Sequence, residues 1–233
     1  MEITEQIKKT YLPNSALIVY RLESETYQHG DYYMETRKIR KDGTLGPAQP
    51  ISRKFLTALV KEYKNVCEMK PFGPIPKNLI YADATLGHEK YIWWNPPMRK
   101  TLYFSDGTGM EENEYNMPGT VFVVQQNELS VYAFKGRKPG NKTRLLYGPF
   151  YNYYKSGKIC TGSAKKEWPG TIRWDDIITH WEAIFWNSIN SHTIDNPMKK
   201  GYILNTELKK AIEQPFDTDT LSETKYNLES LLK

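Results

Sequence analysis

The sequence predicts an α+β fold: an antiparallel β-meander packed against helices, preceded by an N-terminal β extension. Three observations carry that expectation. Between residues 79 and 134, short apolar or aromatic runs follow one another at separations too short for parallel crossovers. Two other segments, opening at Ser52 and at Trp174, space their apolar residues by three and four, which is the helical period. The 17 Tyr and 6 Trp among 233 residues favour pleated, half-buried surfaces.

In chain order, Ala16 to Leu22 and Tyr32 to Arg40 are expected as strands. The second runs into Lys41-Asp42-Gly43-Thr44, where Asp-Gly marks a hairpin turn, and a Pro-flanked loop then reaches Pro50. Ser52 caps a helix that carries Phe55, Leu56, Leu59, Val60 and Tyr63 on one face and ends before the turn-rich segment Pro71 to Pro76. The meander follows as Leu79 to Tyr81, Tyr91 to Trp94, Thr101 to Phe104, Thr120 to Val124 and Leu129 to Phe134. The polar, Gly-rich stretch Ser105 to Gly119 reads as a loop, and Thr143 to Tyr147 as a further strand. From Trp174 the period changes: Trp174, Ile177, Ile178, Trp181, Phe185 and Ile189 share one face of a helix, an aromatic stripe that reads as core. Asp175 and Asp176 lie in its first turn, where carboxylates favour the positive end of the helix dipole. Thr206 to Ile212 and Leu221 to Leu232 read as weakly patterned helices in a partly ordered tail. The expected division is an N-terminal β extension over 1–50, a core domain over 51–192 and a C-terminal tail over 193–233.

Composition removes several function classes. No apolar run approaches the roughly 20 residues of a membrane helix. Met1-Glu2-Ile3-Thr4-Glu5 lacks the charged and apolar regions of a signal peptide, so a cytoplasmic location without membrane association is expected. The two cysteines, far apart and without an export signal, are expected as free thiols, with Cys67 a small buried hydrophobe. A net charge of +5 raises the question of nucleic acid. Basic residues cluster only in Arg37-Lys38-Ile39-Arg40-Lys41 and Lys135-Gly136-Arg137-Lys138, which read as solvated strand ends. There is no Cys-x-x-Cys, His-Glu-x-x-His or Gly-x-x-x-x-Gly-Lys-Ser/Thr, so metal and nucleotide chemistry has no motif and no cofactor is expected.

The sharpest signal is Phe150-Tyr151-Asn152-Tyr153-Tyr154-Lys155-Ser156-Gly157-Lys158-Ile159-Cys160, followed by Trp168-Pro169 eight residues beyond the cysteine. Asn152, Gly157, Ile159, Cys160 and Trp168 fall at the offsets that mark ubiquitin-conjugating (E2) enzymes, in which His-Pro-Asn precedes Ile-Cys and Trp-Ser-Pro follows. The segment from Ser52 to His192 therefore resembles an E2. More narrowly, Trp93-Trp94, Arg137 to Pro139, Pro149 to Asn152, Cys160-x-Gly162-Ser163 and Phe185-Trp186-Asn187-Ser188 with His192 are similar to a bacterial family known as PRTRC system protein B, or prokaryotic E2 family D. The resemblance implies an E2/UBC-like fold and a cysteine thioester carrier. It also implies partners encoded beside it: a ThiF-like (E1-type) adenylating enzyme, a small ubiquitin-like protein and a JAB-type metalloprotease.

Under that resemblance Cys160 is the thioester nucleophile. A free cysteine ionises near pH 8.5, and cationic neighbours raise its thiolate fraction. Lys155, Lys158, Lys165 and Lys166 flank it in sequence. Asn152 is the candidate amide donor to the oxyanion of the tetrahedral intermediate, its bland alternative being a turn residue bonding its own backbone. His192, which follows the second helix, is a candidate base or orienter for the thiol, against the bland alternative of a helix-end or surface histidine. His180 is a weaker candidate. Phe150 and Tyr151 stand where the eukaryotic motif has His and Pro, and Thr161-Gly162-Ser163 where Leu-Asp commonly follows the cysteine. Three other readings stand beside the conjugating one: a non-catalytic module binding a ubiquitin-like protein, a plasmid-associated nucleic-acid binder, and a Cys-His hydrolase built on Cys160 and His192.

Overall fold

Alternation between two buried faces organises the central strands of the larger sheet among the described residues. The computed structural model describes residues 12–21, 32–67, 71–85, 88–162 and 173–232. The chain divides into two compact units, Met1–Val66 and Cys67–Lys233.

In the first unit, β1 (Ser15–Arg21), β2 (Tyr32–Lys38) and β3 (Gln49–Pro50) form an antiparallel sheet in that order. Beyond β2, Ile39 and Leu45 bridge around the Asp42-Gly43 turn, with Gly43 at a φ of +84°, which glycine adopts at no steric cost. Glu35 is buried and offsets its desolvation with two bonds, from the Tyr20 hydroxyl at 2.9 Å and from Arg37 Nε at 2.6 Å, the latter holding its carboxyl below the usual carboxylate range. Helix α1 (Arg53–Cys67) begins where the sequence places it, with Ser52 Oγ accepting from the Phe55 amide at 3.1 Å. Leu56, Leu59 and Val60 on it remain exposed. The side chains of Tyr63 and Cys67 lie outside the described residues.

The second unit is built on a six-stranded antiparallel sheet in the order β12-β10-β9-β8-β5-β4, from β4 (Leu79–Asp83), β5 (Lys90–Asn95), β8 (Gly119–Gln125), β9 (Glu128–Phe134), β10 (Arg144–Tyr147) and β12 (Glu223–Asn227). Strands β5, β8 and β9 are apolar on both faces because both faces are covered. Trp93, Phe122, Val131 and Ala133 point to one side, against Ile177, Trp181, Phe185 and Trp186 of helix α2 (Trp174–Trp186). Ile92, Val121, Val123, Tyr132 and Phe134 point to the other, where Leu145 and Leu228 join them. Trp93 stacks on Phe122 at 5.0 Å between ring centroids, and Trp181 is fully buried. Each such side chain contributes roughly 2–3 kcal/mol relative to an exposed one. At the edge of this core the Glu182 carboxylate accepts from Trp93 Nε1 at 3.0 Å and Asn95 Nδ2 at 2.6 Å, tying α2 to β5.

The α+β class holds, but three local expectations do not. The stretch 105–119 is not all loop. Asn113–Met117 forms β7, which pairs with β6 (Met98–Phe104) and buries Tyr115 and Met117 on alternate positions while Glu114 faces solvent. These two strands leave the main sheet for a second one, in which β11 (Ile189–Asn190) runs parallel to β6. Helix α2 stops at Trp186, so Ile189 is not on its face and is 61% exposed. The Ser188 hydroxyl caps the Phe185 carbonyl at 2.8 Å and turns the chain toward β6.

Residues 221–232 are not a helix either. Strand β12 closes the sheet edge against β10, with Thr224 buried and its hydroxyl on the Leu145 carbonyl at 2.8 Å, and only Leu228–Leu231 is helical, as α4. Between them and α2, helix α3 (Leu204–Lys210) buries Leu204 and Leu208 in the same core as Tyr115 and Met117. No described helix is long and apolar enough to cross a membrane.

Candidate functional site

The eleven-residue segment ending at Cys160 folds as a tight hairpin laid beside the start of β9, in the space that β10 leaves free. Tyr153 and Ile159 bridge, the Tyr154 amide donates to the Lys158 carbonyl at 2.9 Å, and the Gly157 amide closes the turn on the Tyr154 carbonyl at 2.8 Å. The hairpin is fixed to β9 by Val131 N to Gly157 O at 2.9 Å and Ile159 N to Leu129 O at 2.8 Å. Gly157 has a φ of +89°, and a Cβ there would overlap the Tyr132 ring, so the turn requires glycine on both counts. The Tyr132 hydroxyl donates to the Ser156 carbonyl at 2.9 Å, and burial pushes its pKa up to about 12. Tyr153 is deeper still: its hydroxyl donates to Val131 O at 2.9 Å and accepts from Gly148 N at 3.1 Å, and desolvation drives its pKa far above the ordinary tyrosine range.

Phe150 and Tyr151 are core side chains. Phe150 packs edge-on against Phe185 at 4.8 Å and Trp186 at 6.0 Å. Tyr151 meets Phe104 edge-on at 5.4 Å, and its hydroxyl donates to Asn205 Oδ1 on α3. Where the eukaryotic motif places a hydrogen-bonding histidine, this chain anchors the segment by aromatic packing.

Asn152 and Cys160 are opposite each other across the hairpin, the Cys160 amide donating to the Asn152 carbonyl at 2.8 Å. Asn152 is 6% exposed and sits at a φ of +54°, a left-handed conformation that asparagine tolerates better than most residues. Its side chain does not bond its own backbone. Nδ2 donates to the Ile189 carbonyl at 2.8 Å, and Oδ1 accepts from the Ser191 amide at 3.3 Å and the Ser191 hydroxyl at 2.9 Å. The second N–H of Nδ2 makes no hydrogen bond among the described residues.

The segment after β11 therefore returns to the hairpin, and it brings His192 with it. The Asn152 amide donates to the His192 carbonyl at 2.8 Å, and the Asp195 amide to Tyr153 O at 3.1 Å. Cys160, Asn152 and His192 thus lie on three backbone segments joined by hydrogen bonds, with Asn152 between the other two. His192 is exposed, and Ser191 Oγ lies 2.8 Å from its Nδ1. His180 lies on α2 instead, partly buried against Trp181, where desolvation lowers its pKa.

Cys160 is a free, half-buried cysteine whose thiol makes no hydrogen bond among the described residues. Of the flanking cations, Lys158 is paired with Glu128, while Lys165 and Lys166 lie outside the described residues together with Ser163 and Trp168-Pro169. The basic clusters are similarly reduced: Lys135 bonds Asp219 at 2.9 Å and Arg37 bonds Glu35. Among the described residues no group of three or more His, Cys, Asp or Glu is placed to hold a metal ion. A pocket of about 480 Å³ lined by Met98, Met117, Phe134 and Phe216 lies at the end of β9 away from the hairpin and touches none of the candidate residues.

Ser191, Ile189 and Asp195 carry no motif of their own and escape a reading of the sequence.

A family model described as prokaryotic E2 family D matches residues 55–224, well over half of the chain. The chain belongs to prokaryotic E2 family D. The match takes in the Asn152–Cys160 hairpin, α2, the returning segment with His192, and α3. No curated protein and no solved structure matches the chain. Membership in prokaryotic E2 family D gives an E2-like, conjugation-related role in a bacterial system, with ubiquitin-like proteins and activating enzymes as the general kind of partner.

Proposed function

We propose that this member of prokaryotic E2 family D carries a bacterial ubiquitin-like protein as a thioester on Cys160 and passes it to a lysine or other amine. A ThiF-like (E1-type) enzyme using ATP supplies the activated modifier, and a JAB-type protease of the same cytoplasmic system is a further partner. The chain itself needs no cofactor for this chemistry. The Cys160 thiolate attacks the modifier's thioester on the activating enzyme, and the activating enzyme's thiolate leaves. In the second step an amine displaces Cys160 from the new thioester. Each attack passes through a tetrahedral oxyanion, which a positioned amide N–H stabilises by a few kcal/mol. The Asn152 N–H that makes no hydrogen bond among the described residues is assigned that role, and His192 the role of base.

The observation that carries this reading is the pairing of a half-buried Cys160 with an Asn152 held on both atoms of its amide, at the Asn-to-Cys spacing of ubiquitin-conjugating enzymes and inside the segment that the family model matches. Cys160 is half-buried while the residue opposite is fixed. A competing reading, a non-catalytic module that binds a ubiquitin-like protein, draws on Phe150 and Tyr151, which serve the core where His and Pro stand in the eukaryotic motif. A nucleic-acid role is not favoured, because Lys135 and Arg37 are already engaged with carboxylates.

The test is a non-reducing gel after mixing the protein with ATP and the E1-like and ubiquitin-like proteins encoded beside its gene. A thiol-sensitive adduct that disappears in Cys160→Ala is expected. If the activating enzyme charges itself yet never hands the modifier over, the conjugating role fails and the binding module takes its place.

A further inference from the structure

Hydrogen-bond bookkeeping around Asn152 determines the protonation of a side chain further out. The Asn152 amide has one workable orientation: Nδ2 faces the Ile189 carbonyl at 2.8 Å, and Oδ1 faces the Ser191 amide at 3.3 Å. Rotating it by 180° would set an oxygen against an oxygen and an N–H against an N–H. Oδ1 is an acceptor only, so the Ser191 hydroxyl, 2.9 Å away, directs its single proton there. The same hydroxyl oxygen lies 2.8 Å from His192 Nδ1 and has no second proton to give. It must accept, and His192 Nδ1 must be the donor.

We infer that Ser191 is a positioning residue: it couples Asn152 to His192 and holds the imidazole as the Nδ1–H tautomer, with the Nε2 lone pair presented as the proton acceptor for the amine that attacks the Cys160 thioester. The inference rests on the conjugating role proposed above. The amine nitrogen bonds to the thioester carbonyl carbon, and the carbon–sulfur bond breaks with its electron pair going to Cys160. The proton lost by the nitrogen passes to Nε2. The resulting imidazolium keeps its Nδ1–H on Ser191 and later releases the Nε2 proton to solvent. The same chain of bonds ties the base to the oxyanion donor, since one asparagine amide orients both. Asp195, the carboxylate on the returning segment, accepts from the Lys155 amide at 2.8 Å, and among the described residues His192 Nδ1 meets the serine hydroxyl.

Two measurements on the full chain test this. The first is 15N NMR of the imidazoles at alkaline pH, with His192 assigned by His192→Gln. It needs no partner protein. The wild type is expected to show a protonated Nδ1 and an unprotonated Nε2, Ser191→Thr to retain that pattern, and Ser191→Ala to move population to the Nε2–H form. The second is single-turnover discharge of the charged protein to free lysine. Ser191→Ala is expected to slow it about 10- to 100-fold, Ser191→Thr to restore most of the rate, and Ser191→Ala to add little on top of His192→Gln. An Nε2–H tautomer in the wild type, or discharge of Ser191→Ala at the wild-type rate, overturns the inference. If no thioester forms on any variant, it is the conjugating role that fails, and the tautomer measurement still decides whether Ser191 sets the histidine.

Discussion

Asn152 and Cys160 share one hairpin and one backbone hydrogen bond, yet their side chains live under opposite conditions. Asn152 is buried, left-handed and bonded at both ends of its amide, and behind it Phe150, Tyr151 and Tyr153 are packed into the core. Cys160 is half-buried, and its thiol is bonded to nothing among the described residues. The difference teaches how a short segment can be rigid and reactive together. One arm is over-determined by packing and polar contacts, so the other can present a nucleophile without needing contacts of its own to hold it.

Substitutions can break that comparison from the strongest point downward. Phe150→Ala removes a ring wedged against Phe185 and Trp186 and is expected to lower stability by about 3–5 kcal/mol in denaturant titration. Asn152→Ala leaves the Ile189 carbonyl and the Ser191 hydroxyl without their partner and replaces asparagine with a residue that tolerates the left-handed region less well, at about 3 kcal/mol. Asn152→Gly relieves the backbone part alone, and its melt should fall between wild type and alanine. Gly157→Ala meets the Tyr132 ring at positive φ and should cost about 2–3 kcal/mol, read as a lower thermal midpoint. On the reactive arm the order reverses. Lys158→Ala breaks a solvent-exposed pair with Glu128 and should change stability by no more than about 0.5 kcal/mol. Cys160→Ala should change it by about 1 kcal/mol or less while abolishing the adduct. Large destabilisation by Cys160→Ala, or indifference to Asn152→Ala, would erase the distinction between the arms.

Legibility in the sequence followed locality. Strands β5, β8 and β9 were readable because they are apolar on both faces, and the start of α1 because Ser52 caps it. Strand β7, Asn-Glu-Tyr-Asn-Met, was not, because only Tyr115 and Met117 turn inward, and β12 is polar because it is an edge. Helix α2 was readable in period but not in extent, since the exposed Ile189 falls by accident on its apolar stripe. Asn152 and Cys160 were readable together through the offsets shared with ubiquitin-conjugating enzymes, and a local hairpin holds that spacing. Ser191 and Ile189 were invisible, since their contact with Asn152 spans some forty residues and depends on a left-handed backbone that no spacing announces. The pairing of Lys158 with Glu128 was equally unreadable and removes one of the cations that sequence proximity had assigned to the thiol.

The central claim is that Cys160 itself bears the modifier, and the most direct measurement is the linkage formed by Cys160→Ser with ATP, the activating enzyme and the ubiquitin-like protein. An oxygen ester in place of the thioester should give an adduct that survives thiol and is cleaved by hydroxide. An adduct on that variant that thiol still removes would place the modifier on Cys67 and contradict the account.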